Sequence, residues 1–556
     1  MNIHRSFVLL PCFFFCIHAD AQKVVTATHG VVVSAHTLAS DAGLAILKKG
    51  GNAVDAAITT ELTLAVVFPG AGNIGGGGFM VAHLADGRTL ALDFREAAPG
   101  KAFRDMYIDS TGKARTDWSQ TGHLACGVPG TIAGMFAAHR YARLPFRDLI
   151  QPAIDLAEKG FVISESEASN LNHTRETFEK NNTGPIAFVR DRRWKAGDTL
   201  VQKDLAATLR RIRDQGAKGF YEGETAAYIV DEMRRGGGLI SLDDLKAYQA
   251  KERPILTFPY RSYTVLTMPM PSSGGVLLGQ MLKMIENNPA LAGGYASPAA
   301  DQLMIEAERR AFADRAMYMG DPDFVKVPVN TLLSGPYLED RMRDFTPGKA
   351  GSSKAVEAGV IPRESTETTH FDVIDQQGDC VSVTTTLNGW YGSKTVAGKA
   401  GFLLNNEMDD FSIKPGVPNM FGAIGGTANA IQAHKRMLSS MTPTIVLRDG
   451  KPYLIAGTPG GTTIPTSVFQ TLVDVIDFHL SAEEAVDVPK FHHQWLPDEV
   501  DLEKNFPDST ARALDRMGYT IEHWGGIGAT EVIMVMPDGT YKGVADRRGG
   551  DAAAGY

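Results

Sequence analysis

A threonine hydroxyl attacks a carbonyl carbon poorly unless something removes its proton, and the run Glu367-Thr368-Thr369-His370 suggests an unusual base. If the chain is cut ahead of Thr368, the new α-amine of that residue titrates at about 7.7–8.0, whereas an internal peptide nitrogen has no basicity to offer. The β-rich runs Phe371-Asp372-Val373-Ile374 and Cys380-Val381-Ser382-Val383 flank Asp375-Gln376-Gln377-Gly378-Asp379, which has turn chemistry. That spacing predicts an antiparallel hairpin. With the turn centred on Gln377, Thr368 falls opposite Thr386, and strand alternation puts Thr384, Thr386 and Asn388 on the face presented to it. The residues alone leave two readings open. One is a latent nucleophile facing hydrogen-bonding side chains; the other is a Thr-rich solvated strand, favoured by β-propensity.

Other stretches carry candidate chemistry. Pro459-Gly460-Gly461 follows the apolar run Leu454-Ile455-Ala456, and successive glycines let backbone N–H groups converge on an anion. An ordinary turn has the same composition. Arg95 ends the run Leu92-Asp93-Phe94, where a guanidinium is either solvated, paired with a neighbouring acid, or a fork for a carboxylate. Gly70-Ala71-Gly72-Asn73-Ile74-Gly75 matches a dinucleotide fingerprint, with Asp93 at roughly the right distance for a ribose. Its context fails, because Gly76-Gly77-Gly78 is a poor helix start and Phe79 to Leu84 reads as a buried strand. Those glycines are expected to permit close backbone packing beneath a site. Adjacent His492 and His493 on a strand point to opposite faces, and neither a H-E-x-x-H nor a G-x-S-x-G pattern occurs. No metal and no cofactor are expected.

The elements needed to position these groups are legible in outline. Val31 to Val33 reads as a strand with Ser34 as helix cap, followed by a helix ending at Lys48-Lys49-Gly50-Gly51. Asn52 can cap a second helix carrying Val54 to Val67. From Phe146 to Lys251 the pattern is mostly amphipathic helix, including Leu149 to Ala157 with Pro152 near its first turn, and Leu205 to Ile212. Strands return after Thr368: the hairpin, Thr444 to Leu447 with a turn at Asp449-Gly450, Tyr453 to Ala456, and Glu531 to Val535. Helical patterns at Thr466 to Ile476 and Ser481 to Val486 lie between them. Such a mixture predicts an α/β (α+β) layered fold.

Composition narrows the function classes. The chain has 556 residues, 44% of them hydrophobic, and a net charge of −9, which argues against a nucleic-acid partner. The N-terminus reads as a signal peptide, 1–21: Arg5, an apolar core from Phe7 to Ile17, and Ala19-Asp20-Ala21 of small-x-small form. That core is too short to span a bilayer, so a chain exported to the periplasm or medium, without a stable membrane anchor, is expected. Cys126 and Cys380 then remain, and two buried free thiols are expected.

Taken together, several stretches resemble the γ-glutamyltransferases, also called glutathione hydrolases. They are Thr368-Thr369-His370, Leu403 to Phe411, Leu438 to Thr444, Pro459-Gly460-Gly461, Gly72 to Phe79, Asp93-Phe94-Arg95-Glu96, Ala307 to Arg315 and Ala554-Gly555-Tyr556. The resemblance implies the N-terminal-nucleophile fold, an αββα sandwich. It implies a precursor that cuts its own Glu367–Thr368 bond into a large subunit, 22–367, paired with a small one, 368–556, in one intertwined unit. By the same resemblance Thr368 is the nucleophile, Thr386 orients it, and the Gly460 and Gly461 amides hold the oxyanion. Arg95, Ser439 and Ser440 would bind the substrate α-carboxylate, and Asn388, Glu407 and Asp410 its α-ammonium. The implied substrates are glutathione and other γ-glutamyl compounds, with water or an acceptor amino acid or peptide resolving the ester. Pro415 to Gly422 resembles the lid loop of bacterial members, with Phe421 where those members often have Tyr. Two alternatives stand beside this: a cephalosporin (glutaryl) acylase or poly-γ-glutamate-processing relative, and an exported amino-acid-binding protein without turnover.

Overall fold

A computed structural model describes residues 23–356, 368–414 and 416–556; the expected signal peptide, Glu367 and Pro415 lie outside the described residues. Strands and helices are mixed throughout, and most strands gather into two seven-stranded sheets, the others into a three-stranded and a two-stranded one. One sheet runs Ala552–Gly555, Gly30–Ser34, Thr369–Asp375, Cys380–Thr386, Gly77–His83, Thr89–Asp93 and Lys251–Arg253. The other runs Val24–Ala27, Tyr541–Val544, Glu531–Val535, Lys451–Gly457, Thr444–Arg448, Tyr263–Thr267 and Leu256–Tyr260. Every named pairing in both is antiparallel. Each sheet draws strands from both sides of Thr368.

Side-chain alternation gives each strand two faces with different jobs. Val31, Val33, Phe79 and Val81 of one sheet pack with Leu266, Ile445, Ile455 and Ile533 of the other. The opposite-facing Val32, Met80, Val373 and Val383 pack with helical Leu44, Val54, Ile58, Leu62 and Leu149. Across the molecule, Val265, Val446, Leu454 and Val532 pack with helical Leu277, Met281, Leu303 and Phe469. No helix among the described residues is long and apolar enough to cross a membrane.

The predicted hairpin forms, with Thr369 opposite Thr385 and Ile374 opposite Cys380, a register that carries Thr368 opposite Thr386. Asn52 caps the helix Ala53–Val67 in a capping box with Asp55. Two boundaries move. His36 rather than Ser34 caps the helix Thr37–Lys48, because Ser34 is still paired in its strand and its hydroxyl meets Ser40 Oγ at 2.7 Å. The helix Phe146–Lys159 starts earlier than its apolar pattern suggested, which leaves Pro152 inside it. Phe146 accounts for the earlier start: it is buried, and its ring stacks on Phe136 at 4.0 Å between centroids. Cys126 and Cys380 are free and buried, as expected.

Candidate active site

Thr368 immediately precedes the strand Thr369–Asp375 and is buried. Its side of the strand, shared with His370 and Asp372, turns toward the other sheet, while Phe371 and Val373 face the helices. On the neighbouring strand Thr384 meets the His370 ring, Oγ to Nδ1 at 2.9 Å, and Asp372 Oδ1 lies 3.0 Å from His370 Nε2. The intersheet face beneath the threonine is therefore polar and hydrogen-bonded. Thr386 Oγ accepts the backbone N–H of Asn388 at 2.7 Å, and Asn388 turns the chain out of the strand with φ of 74°. The hydroxyl row is buried, which removes the solvated-strand reading.

The glycine run acts from below, as expected for close packing. A Cβ on Gly76 would lie 2.0 Å from the Thr386 carbonyl oxygen, and one on Gly78 2.5 Å from that of Thr384. Gly77–His83 is a strand and no helix opens there, so the context required of a dinucleotide fingerprint is absent. Asn73 in that run donates from Nδ2 to the Thr386 carbonyl at 2.9 Å and to Thr385 Oγ at 3.0 Å. It fixes the strand end that carries Thr386.

Beside Thr368 lies a small cavity of about 20 Å³, bordered by Arg95, Arg315, Thr386, Asn388, Glu407, Asp410, Ser439, Ser440 and Gly461. Residues far apart in sequence converge here. Glu407 and Asp410 sit on one short 3₁₀ turn, Glu407–Asp410, set by Asn405, whose Oδ1 accepts the Glu407 N–H at 3.0 Å. The guanidinium of Arg95 donates from Nη1 to Glu407 and from Nη2 to Asp410. It also reaches the Met437 and Leu438 carbonyls. Burial disfavours its charge, but the carboxylates of Glu407, Asp410 and Glu96 outweigh that and hold its pKa above the ordinary value. The cation and the anions that the resemblance places at opposite ends of a substrate are paired with each other in this structure. Asn388 Nδ2 donates to the Asn406 carbonyl at 3.0 Å, and Ser439 Oγ accepts the Met441 N–H at 3.2 Å.

Gly460 and Gly461 lie just ahead of the helix Thr463–Ile476, with φ of 137° and 55°. A side chain would strain both positions. Their N–H groups have no backbone acceptor among the described residues. They precede the N-terminal end of that helix, and Gly460 borders the larger and Gly461 the smaller of the two cavities that reach Thr368. Phe421 covers Gly461: an added Cβ there would come within 2.7 Å of its ring. The loop bearing Phe421 is tied down by Asp409, which accepts the Met420 N–H at 2.6 Å, and by Asn419, which donates to Asp410 at 2.8 Å.

On the other side of Thr368 opens a larger cleft of about 470 Å³, bordered by His36, Phe68, Trp390, Gly460, Glu531 and Asp551 among others. His492 and His493 are buried elsewhere and serve the core: His492 Nδ1 lies 2.8 Å from Thr466 Oγ, and His493 Nδ1 accepts the Trp495 N–H at 2.9 Å. The residue pattern had not singled out Arg315, Asn73, Asn405 or Asn419. All four lie in stretches that carry the resemblance, Gly72 to Phe79, Ala307 to Arg315, Leu403 to Phe411 and Pro415 to Gly422, but only their placement in three dimensions shows what they touch.

The gamma-glutamyltranspeptidase family model matches residues 39–556. A glutathione hydrolase proenzyme of Escherichia coli is 45% identical over 98% of this chain and 95% of its own length. Among solved structures, the cephalosporin acylase of Bacillus halodurans superposes with a TM-score of 0.84 at 25% identity, covering 99% of both chains. The gamma-glutamyltranspeptidase of Helicobacter pylori is 44% identical over 59% of this chain and 94% of its own, with a TM-score of 0.57.

Proposed function

This chain belongs to the gamma-glutamyltranspeptidase family, and from that premise we propose that it is a self-processing glutathione hydrolase and γ-glutamyltransferase of the αββα N-terminal-nucleophile type. The observation that carries the reading is the position of Thr368 between two cavities, a small charged one and a larger open one.

In the precursor, Thr368 Oγ adds to the Glu367 carbonyl carbon. The C–N bond breaks, the nitrogen takes the proton, and water hydrolyses the resulting ester. The products are a large subunit, 22–367, and a small one, 368–556, that begins with a free α-amine. In turnover that amine accepts the proton of Thr368 Oγ as the oxygen attacks a γ-glutamyl amide, with Thr386 orienting the hydroxyl. The tetrahedral oxyanion is held by the Gly460 and Gly461 amides at the helix N-terminus. The ammonium then gives its proton to the leaving amine, which departs into the larger cleft. Water or an acceptor amine enters by the same side and resolves the ester.

The charged cavity sets the acyl group. Arg95 with Ser439 and Ser440 binds the α-carboxylate, while Glu407, Asp410 and Asn388 bind the α-ammonium once the substrate displaces the internal ion pairs. A glutaryl donor brings no ammonium and would leave two buried carboxylates without their partner, so the geometry favours γ-glutamyl donors over the acylase alternative. The expected result is a protein that runs as two chains on a denaturing gel, the smaller beginning Thr-Thr-His-Phe, and that hydrolyses γ-glutamyl-p-nitroanilide but not its glutaryl counterpart. A single uncut chain without activity would overturn the reading in favour of a binding protein; faster glutaryl turnover would favour an acylase.

A further inference from the structure

The charged cavity holds a second guanidinium for which the reaction so far has no use. Arg315, near the end of the helix Pro298–Tyr318, is 6% exposed and borders the cavity beside Asp410 and Ser440. Nε donates to Ser273 Oγ at 3.0 Å and Nη2 to Ser440 Oγ at 3.2 Å. Ser273 is itself fixed, since its hydroxyl donates to the Ser439 carbonyl at 2.6 Å. Arg315 makes no ion pair among the described residues. Asp410 is the nearby acid, but its oxygens are taken by Arg95 and Asn419. Desolvation, with Arg95 close by, pulls the Arg315 pKa down to about 10 against the pull of Asp410. A buried cation without a counter-ion is costly, and helix and hydroxyls hold this one aimed at a site built for a charged ligand.

The distribution of ion pairs shows where a substrate carboxylate would find a cation. Three buried carboxylates, Glu407, Asp410 and Glu96, the last at 3.6 Å, lie on Arg95, whereas none is paired with Arg315 among the described residues. When a zwitterionic head group enters, its ammonium takes the carboxylates, and its carboxylate needs cations. We propose that Arg315 is a second substrate-binding guanidinium, gripping the α-carboxylate of the γ-glutamyl group jointly with Arg95 across the Ser440 hydroxyl. This rests on the γ-glutamyl reading above. It makes the site selective for donors with an α-carboxylate, not only for those with an ammonium.

Three ligands separate the two ends of the head group as competitive inhibitors of γ-glutamyl-p-nitroanilide hydrolysis: L-glutamate carries both α groups, glutarate lacks the ammonium, and 4-aminobutyrate lacks the α-carboxylate. In Arg315→Gln, KM for the anilide and Ki for glutamate and glutarate should rise at least about tenfold, one lost charged contact, with Ki for 4-aminobutyrate within about twofold of wild type. Arg315→Lys should fall between wild type and Arg315→Gln for the carboxylate ligands, and it decides the matter if the glutamine variant fails to mature. Constants unchanged for all ligands, or weakened equally for all three, would overturn the proposal, the second because it would mark Arg315 as a support for the whole pocket. A wild-type protein inactive on the anilide would instead sink the functional reading itself.

Discussion

One oxygen atom, Thr368 Oγ, is asked to perform two reactions, and substitution should separate them. Thr368→Ala should leave an uncut, inactive chain, because it removes the hydroxyl that the proposed mechanism uses for both steps. Thr368→Ser keeps the hydroxyl and loses the methyl that restricts χ1, so it should mature, more slowly. A denaturing gel followed over time checks both; an alanine variant that still splits at this bond contradicts the mechanism. Arg95→Lys tests the other end of the site. Lysine keeps the charge but cannot fork between Glu407 and Asp410 or span a carboxylate. The expected cost is about 1.5–3 kcal/mol, a rise in KM of roughly 10- to 150-fold, with maturation largely kept. An unchanged KM in a correctly processed variant would remove Arg95 from the substrate site. At this scale the sequence was informative where a motif is contiguous, as in Leu403 to Phe411. Within that motif it did not show the part of Asn405, whose Oδ1 accepts the Glu407 N–H and the N–H of Gly127, brought from elsewhere in the chain.

Between residues and the whole, elements carry their own tests. The helix Ala53–Val67 is buried along its full length and places Glu61 under the strand Cys380–Thr386, where Thr385 Oγ donates to Oε1 at 3.0 Å. Burial, only partly offset by that hydrogen bond, pushes the Glu61 pKa up to about 8. The folded state then holds a proton that the unfolded state releases at ordinary carboxyl pH. Stability should therefore fall as pH rises from about 4.5 to about 8 and level off above that. Glu61→Gln, which cannot ionise, should flatten this decline in a series of Tm against pH; a slope unchanged from wild type would show that Glu61 is not its source. In the loop that resembles a lid, Phe421 covers Gly461 and Phe421→Tyr adds a hydroxyl to that ring; a lid governs water entry and product release. It should shift the ratio of hydrolysis to transfer more than the rate of maturation, and product ratios equal to wild type with and without an acceptor dipeptide would exclude a latch. The hairpin and the Asn52 cap were legible in the sequence because their signals are local, whereas the cap at His36 was not, since strand pairing holds Ser34. The start of the helix at Phe146 was not, because its reason is a ring 4.0 Å away on Phe136, in another helix.

Across the whole molecule, layered α and β elements followed from pattern, but the order of strands did not. Gly30–Ser34 sits between Thr369–Asp375 and Ala552–Gly555, partners more than 300 residues distant, and no periodicity encodes that choice. The proposed cut at Thr368 would therefore fall within a shared sheet rather than between domains. Two outcomes follow for maturation. Its half-time should not change on dilution, as expected of a first-order step within one chain; a concentration-dependent half-time would indicate a protease acting in trans. The two products should also co-elute on a sizing column and part only under denaturing conditions, and separation in native buffer would contradict the interleaved sheets.

The same interleaving bears on how such a protein can be encoded. Strands on either side of the cut are neighbours in both sheets, so a half made alone would present bare strand edges along two sheets at once, the arrangement that invites aggregation. Ribosomal synthesis as one polypeptide supplies both partners of every strand pair at high local concentration before any bond is broken. Two separate genes for the halves would lose that advantage, and the single precursor acts as its own assembly chaperone.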